Sequence, residues 1–319
     1  MTLSHVKGSP ARVPPAPAPT PARPRRHRRR ALEPWFYLVP ALIVLAGILG
    51  YPVLSAAWTS LNHSVLTDPA ADRFIGIANY AAVFGDPAFF SALWHTLLWA
   101  AANLVLQLTL GLALALLMHQ KMAGRAFFRS VVIIPWIVPS VVVAVIWRYL
   151  LDPTSGPINQ LLTGIGLMDD PPLWLSDQST AMPVVILLSV WKWTPFVAVI
   201  LLAGLQAIPE ELHEAAKLDG ASTVQRLRYV ILPGIRMPLA LASLLTLGYS
   251  TNNFNGIWLF TQGGPIGATE TFTTFVYRIA FTDFDLGKAA AVAVVLFAGL
   301  FVVSTSYFFV VEGRKGRKL

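Results

Sequence analysis

No cysteine occurs anywhere in the 319 residues, which excludes a disulfide framework, a thiolate metal site and a cysteine nucleophile. Charge is scarce as well. Only 13% of the residues are charged, against about 25% in an ordinary soluble protein, while 55% are hydrophobic. No Gly-x-x-x-x-Gly-Lys-Ser/Thr segment is present, so the chain has no phosphate-cradling loop of the usual NTPase kind. His-Glu-x-x-His and Gly-x-Ser-x-Gly are missing too. Asp169-Asp170 is an isolated acidic pair with no second carboxylate cluster to help it hold a metal. No catalytic, cofactor or metal site is expected, and any ATP that drives this protein must be bound by another subunit.

What is present is apolar sequence in long runs. Six stretches, Trp35–Leu61, Leu93–Met118, Val131–Leu150, Met182–Leu205, Pro238–Phe260 and Ala289–Val311, each reach the ~20 residues a helix needs to cross the hydrocarbon core. The expected fold is an all-α integral membrane protein with six transmembrane helices and both ends on one side. The domains follow from this: a basic tail over 1–33, a membrane domain over 34–311 and a second basic tail over 312–319. The first tail, rich in Pro, Ala and Arg, cannot bury enough surface to fold. It anchors topology rather than binding nucleic acid, because no interleaved aromatics or folded module accompany its arginines. The apolar run after it is too long for a signal peptide.

Of the 24 Lys and Arg residues, 19 lie in the two tails and in the loops Lys121–Arg129 and Lys217–Arg236. The opposite loops carry Asp68, Asp72, Asp86, Asp152, Asp169, Asp170, Asp177, Glu270, Asp283 and Asp285. By the positive-inside rule both termini and the Glu214 loop are expected in the cytoplasm, with the chain a multi-pass membrane protein. The net charge of +8 is accounted for without a polyanionic partner. The external loops Asn62–Phe90 and Asp152–Thr180 are long enough to be candidate contact surfaces, with plain solvated loops as the equal alternative.

The longest polar break reads as two short helices. Pro209 suits a first helical position, and Glu210 and Glu211 then sit where the helix dipole favours negative charge. Gly220 suits a left-handed helix end, and Ser222-Thr223-Val224-Gln225 has capping-box spacing, so a second helix runs to a block at Pro233. The alanines beside Glu214 leave a flat surface suited to docking into a groove. A solvated connector between two spans is the plain alternative.

Few polar side chains lie within the spans, and each is costly there. Asn103 and Gln107 share one helix face, where hydrogen bonding between helices is favoured over solute contact. Pro195 should kink the fourth span near mid-membrane. Beside it lie Trp191 and Lys192, the latter about halfway across by the ~1.5 Å rise per residue and unable to snorkel easily. The fifth span holds Asn252-Asn253-Phe254-Asn255. Carboxamides beside aromatic rings fit a sugar, whose hydroxyls need donors and acceptors while its C–H face stacks on a ring. Trp191, Lys192, Asn252, Asn253 and Asn255 are the candidate substrate-path residues.

Glu214-Ala215-Ala216, Asp219-Gly220-Ala221 and Ile231-Leu232-Pro233, in that order and spacing, resemble the EAA loop of permease subunits from binding-protein-dependent ABC importers. The resemblance covers about residues 91–311, most strongly from Trp191 onward. Thr261-Gln262-Gly263-Gly264-Pro265, Tyr277-Arg278-Ile279-Ala280-Phe281 and Leu286-Gly287-Lys288-Ala289-Ala290 are similar to permeases of the carbohydrate-uptake class, of maltose and glycerol-3-phosphate type. In the maltose-type subunit that binds substrate, an Asn-Asn-Phe precedes a Thr-Asn-Gly-Gly-Pro; Gln262 replaces that asparagine here, and the extra spans and large external domain of that subunit are lacking.

The resemblance implies a type I ABC importer permease fold with a cytoplasmic coupling helix that docks on an ATPase, through Glu214, Ala215, Ala216, Asp219, Gly220, Leu232 and Pro233. It further implies a second homologous permease, two copies of a cytoplasmic ABC ATPase that bind ATP and Mg, an extracytoplasmic solute-binding protein and a sugar as cargo. The alternative is a stand-alone facilitator or ion-coupled secondary carrier, in which the Glu214 loop is a linker. No internal repeat with paired interrupted helices supports that alternative.

Overall fold

The computed structural model describes residues 33–120 and 123–313. The basic tails lie outside the described residues except for their inner ends, as does Lys121. The chain divides into two compact units between Tyr51 and Pro52. The first contains α1 (Glu33–Leu45) and a π-helical turn, Ala46–Gly50. The second contains everything from Pro52 on, including all but the first residue of α2 (Tyr51–Thr59). The stretch Tyr37–Thr59 is long and apolar enough to cross a membrane.

Where an external loop was expected after the first span, the second unit has a hairpin. Strands β1 (Asn62–Val65) and β2 (Asp68–Phe74) pair antiparallel, with Asn62 opposite Phe74 and Val65 opposite Asp68. Helix α3 (Ala78–Phe84) follows, and Asn79 Nδ2 donates to the carbonyls of Ser60 at 2.8 Å and Asn62 at 2.9 Å, fastening it to the hairpin.

Helix α4 (Pro87–His119) begins where Asp86 accepts from the Ala88 amide at 2.9 Å and Pro87 fills the first turn. Its 33 residues make a rod of about 50 Å at ~1.5 Å per residue. The third span is not the straight helix expected. Helices α5 (Arg125–Ile137) and α6 (Ser140–Leu150) meet at 92°. Pro139 is the cause, since it pushes the preceding Val138 into an extended conformation (φ −63°, ψ 130°).

The short α7 (Pro157–Gly164) leads to α8 (Gln178–Gln206), capped by Asp177, whose carboxylate accepts from the Ser179 amide at 2.8 Å. Helix α8 runs uninterrupted through Pro183 and Pro195. In its most apolar stretch 61% is buried, against 28% or less for the other three unbent spans, which makes α8 the centre of the fold.

After α9 (Glu210–Leu218) come α10 (Thr223–Arg226), a π-helical turn at Leu227–Ile231 and α11 (Leu232–Gly234). This run meets α12 (Arg236–Thr251) at 73°. The fifth span, expected as one helix over Pro238–Phe260, is instead broken at Asn252–Phe254 and resumes as α13 (Asn255–Thr261). Helix α14 (Phe272–Phe281) and the long α15 (Leu286–Gly313) complete the chain. Among the described residues four helices are long and apolar enough to cross a membrane, and the number rises to six if each of the two bent pairs is one span.

Two glycines set how closely the central helices pack. A Cβ on Gly111 of α4 would lie 2.7 Å from Val197 Cγ1 of α8, and one on Gly204 of α8 would lie 2.5 Å from Pro238 Cγ of α12. Small residues at such crossings let backbones approach where lipid gives no hydrophobic drive for association. Around these contacts Met118, Val197, Leu201, Leu205 and Ile235 form one buried cluster.

Candidate functional site

The polar break between α8 and α12 folds as an elbow. Pro209 sits one place earlier than expected, with φ −56° and ψ 135°, and Glu210 and Glu211 occupy the first turn of α9. At the other end Gly220 has φ +73°. Its amide donates to the Lys217 carbonyl at 3.1 Å and the Ala221 amide to the Ala216 carbonyl at 2.9 Å, the two-bond pattern of a left-handed helix stop. No atom lies within 4 Å of a Cβ built on Gly220, so conformation alone calls for glycine there. The capping box follows as read from sequence: Ser222 N donates to Gln225 Oε1 at 2.7 Å and Gln225 N to Ser222 Oγ at 3.3 Å. The elbow folds back on itself where Ile208 Cδ1 would sit 2.7 Å from a Cβ on Gly234.

Glu214, Ala215, Asp219 and Gly220 are exposed and Ala216 is half-buried. Leu218 is 89% exposed, and Leu212, Val224 and Tyr229 are exposed with it. These side chains give the short polar helix pair an exposed apolar surface. Leu232 is different: it is half-buried against the central cluster, and with Pro233 it belongs to the bend instead of the face.

The five substrate-path candidates do not form one site. Lys192, Asn253 and Asn255 line a cavity of about 20 Å³ with Ser189, Trp193 and Phe260. Lys192 is buried, and its Nζ donates to the Val138 carbonyl at 2.6 Å, at the bend of the third span. Asn253 accepts from the Gly256 amide at 2.9 Å and so caps α13. Asn252 faces elsewhere, into an open cleft of about 690 Å³ lined by Phe254, Tyr277, Phe281, Phe297 and Ser304. Trp191 is 43% exposed and packs edge-on against Trp147, ring centres 5.5 Å apart.

Sequence reading did not assemble the aromatic wall of that cleft. Phe254 stacks on Trp258 at 5.2 Å, and Tyr277 lies 4.5 Å from Trp258 and 4.9 Å from Phe281. The available signal was the i, i+4 spacing of Tyr277 with Phe281 and of Phe254 with Trp258.

Asn103 and Gln107 take the packing role expected of them. Gln107 Nε2 and Ser189 Oγ both donate to Asn103 Oδ1, at 2.7 and 2.8 Å, and Tyr249 OH donates to Gln107 Oε1. Trp99 Nε1 donates to the Ser250 carbonyl at 2.9 Å. These bonds join α4, α8 and α12 through groups that would otherwise be orphaned in hydrocarbon.

Residues 107–315 match the family model of the binding-protein-dependent transport system inner membrane component. A probable ABC transporter permease protein of Brucella suis is 34% identical over 274 residues, covering 86% of this chain and 94% of that one. The trehalose/maltose transport system permease protein MalF of Thermococcus litoralis is 32% identical over 289 residues, covering 90% and 95%. In fold, the chain superposes with a TM-score of 0.76 at 22% identity on a crystal structure of a bacterial ABC transporter involved in the import of the acidic polysaccharide alginate, covering 89% of this chain and 96% of that one. The chain belongs to the family of binding-protein-dependent transport system inner membrane components and is an ABC importer permease.

Proposed function

We propose that this chain is one of two permeases in an importer that carries a sugar or sugar-like solute inward across the bacterial cytoplasmic membrane. Its power comes from a separate ATPase that binds ATP and Mg. The observation that carries the reading is the elbow: a short helix ended by a left-handed glycine, with Leu212, Ala215 and Leu218 turned outward. Closure of two ATPases draws the elbows of the two permeases together. The 73° bend at Ile235 passes that motion into α12, which packs on α8 through Gly204.

The concentration of Lys and Arg in the tails and in the Lys121–Arg129 and Lys217–Arg236 loops supports placing the elbow and both termini in the cytoplasm. The hairpin and α14 then face outward, where an extracytoplasmic binding protein hands over its solute. The sugar class is supported by the trehalose/maltose system named for the Thermococcus relative. It is also supported by the carboxamide of Asn252 beside the rings of Phe254 and Tyr277. Glu214, Ala215, Ala216, Asp219 and Gly220 carry the coupling, with Leu232 and Pro233 holding the bend.

Co-purification tests this reading. Extracted in mild detergent, the chain should bring an ATPase and a second permease with it. Recovery of the chain alone with solute uptake intact after reconstitution would identify it as a stand-alone carrier. Because the chain has no cysteine, Leu218→Cys offers a single thiol, which should resist an impermeant reagent applied to intact cells.

A further inference from the structure

Behind the elbow, on the side away from Leu212 and Leu218, lies a cavity of about 600 Å³. It is an open cleft bordered by the foot of α4, the start of α5, the inner side of α9 and α10. Four permanent cations line it, Arg125, Arg129, Lys217 and Arg226, together with His119 and His213. Glu210 is the one carboxylate among the described lining residues.

The arginines are only partly used. Arg129 Nη2 donates to the Met118 carbonyl at 2.7 Å, and Arg226 Nη2 reaches Thr223 Oγ1 at 3.5 Å. Arg129 Nε, Arg226 Nε and His213 Nε2 are buried without a hydrogen-bond partner among the described residues. Buried orphan nitrogens are costly, and three of them in the walls of one cation-rich cavity point to an anion that is part of the working protein.

We infer that this cavity binds a phosphate or phosphodiester group, which takes hydrogen bonds from the forks of Arg129 and Arg226. Leu116, Leu227 and Ile231 line its apolar side, which suits the glycerol and first methylenes of an anionic phospholipid better than a free ion. Basic pockets at the ends of membrane helices are a recurrent form of lipid headgroup site. A headgroup held here would tie the inner side of α9 to the foot of α4. The inference stands on the cavity and does not require the coupling reading, so a failed co-purification leaves it intact.

The test uses the full chain in nanodiscs of phosphatidylcholine, with bound lipid measured as phosphatidylglycerol is added and, separately, as inorganic phosphate is added. Saturable retention of phosphatidylglycerol is expected, weakened about tenfold or more in Arg129→Gln/Arg226→Gln and unchanged in Arg236→Gln, which lies outside the cavity. Saturation by inorganic phosphate, with lipid retention insensitive to the double substitution, would uphold the site with free phosphate as its occupant. Equal retention of both in wild type and double variant would overturn the inference. A fluorophore on Gln120→Cys, at the cavity rim in an otherwise unaltered chain, gives a second reading: no saturable response to either anion overturns it as well.

Discussion

Lys192 Nζ donates to the main-chain carbonyl of Val138 at 2.6 Å, joining the middle of α8 to the point where the third span turns through 92°. Val138 stands between α5 and α6, so its carbonyl lacks a place in either helical ladder. The long cation fills that gap, and Trp193 lies beside it, ring centre 5.8 Å from Nζ. Lys192→Met should leave the carbonyl orphaned and lower stability by about 1–3 kcal/mol. Thermal unfolding of the purified protein reads this directly, and an unchanged midpoint would mean that the bend holds without the lysine.

Asn252 and Asn253 should separate by experiment, although they adjoin in sequence. Asn253→Ala removes the acceptor that caps α13 and should cost about 1 kcal/mol. Asn252 is exposed, with its Nδ2 returning only to the Gly248 carbonyl of its own helix at 3.0 Å. Asn252→Ala is expected to leave the unfolding midpoint within about 0.5 kcal/mol of wild type while weakening solute stimulation of the ATPase. If Asn252→Ala destabilises and leaves stimulation intact, the aromatic cleft is not the solute path.

The overpacking of α8 against α12 gives a third test. A Cβ at Gly204 already falls 2.8 Å from Pro238 Cβ. Gly204→Val should therefore push the helices apart at a cost of about 1–3 kcal/mol, whereas Gly248→Ala, with nothing within 4 Å of its Cβ, should be neutral in the same thermal assay.

The elbow was legible in sequence because its signals are local. A left-handed stop and a capping box are written in adjacent residues, and both fold as read at Gly220 and at Ser222 with Gln225. That several helices are long and apolar enough to cross a membrane was legible from apolar length alone. Their bends were not: Pro139 breaks its span while Pro195 leaves α8 whole, although the two prolines look alike in the sequence. Thr194 Oγ1 donates to the Val190 carbonyl at 2.6 Å beside Pro195, and α8 is packed against neighbours along most of its length, so tertiary contacts help keep it one helix through Pro195. The substrate candidates scattered for a related reason. Asn252 and Asn253 lie at a helix break, where neighbouring residues no longer follow helical spacing and face different cavities.

At the start of α4, Lys288 Nζ lies 2.8 Å from Asp86 Oδ2 and, chiefly through that hydrogen bond, holds the Asp86 carboxyl below its ordinary value of 3.8. A lowered folded pKa stabilises the fold fully above the ordinary value, and the gain disappears as pH falls through the lowered one. Asp86→Asn keeps a capping side chain for α4 and removes only the charge. The variant should be less stable by up to about 1 kcal/mol at neutral pH, given a partly exposed pair. The gap should stay constant from about pH 5 to pH 8 and close below about pH 4. A gap that widens on acidification would contradict the assignment.

Gly220 offers the sharpest test of coupling, because the space around it is empty and only its φ of +73° resists substitution. A β-branched residue is excluded from that conformation, while asparagine enters it at small cost. Gly220→Val should release the stop between α9 and α10, at about 1–2 kcal/mol of local strain, and turn the docking face carried by Leu218. The reconstituted complex should then hydrolyse ATP without moving solute. Gly220→Asn should restore most uptake, since it supplies the same backbone with a different side chain. If valine is tolerated as well as asparagine, with uptake and stimulated hydrolysis both normal, the elbow is only a connector, and the motion of α12 must be driven from another part of the chain.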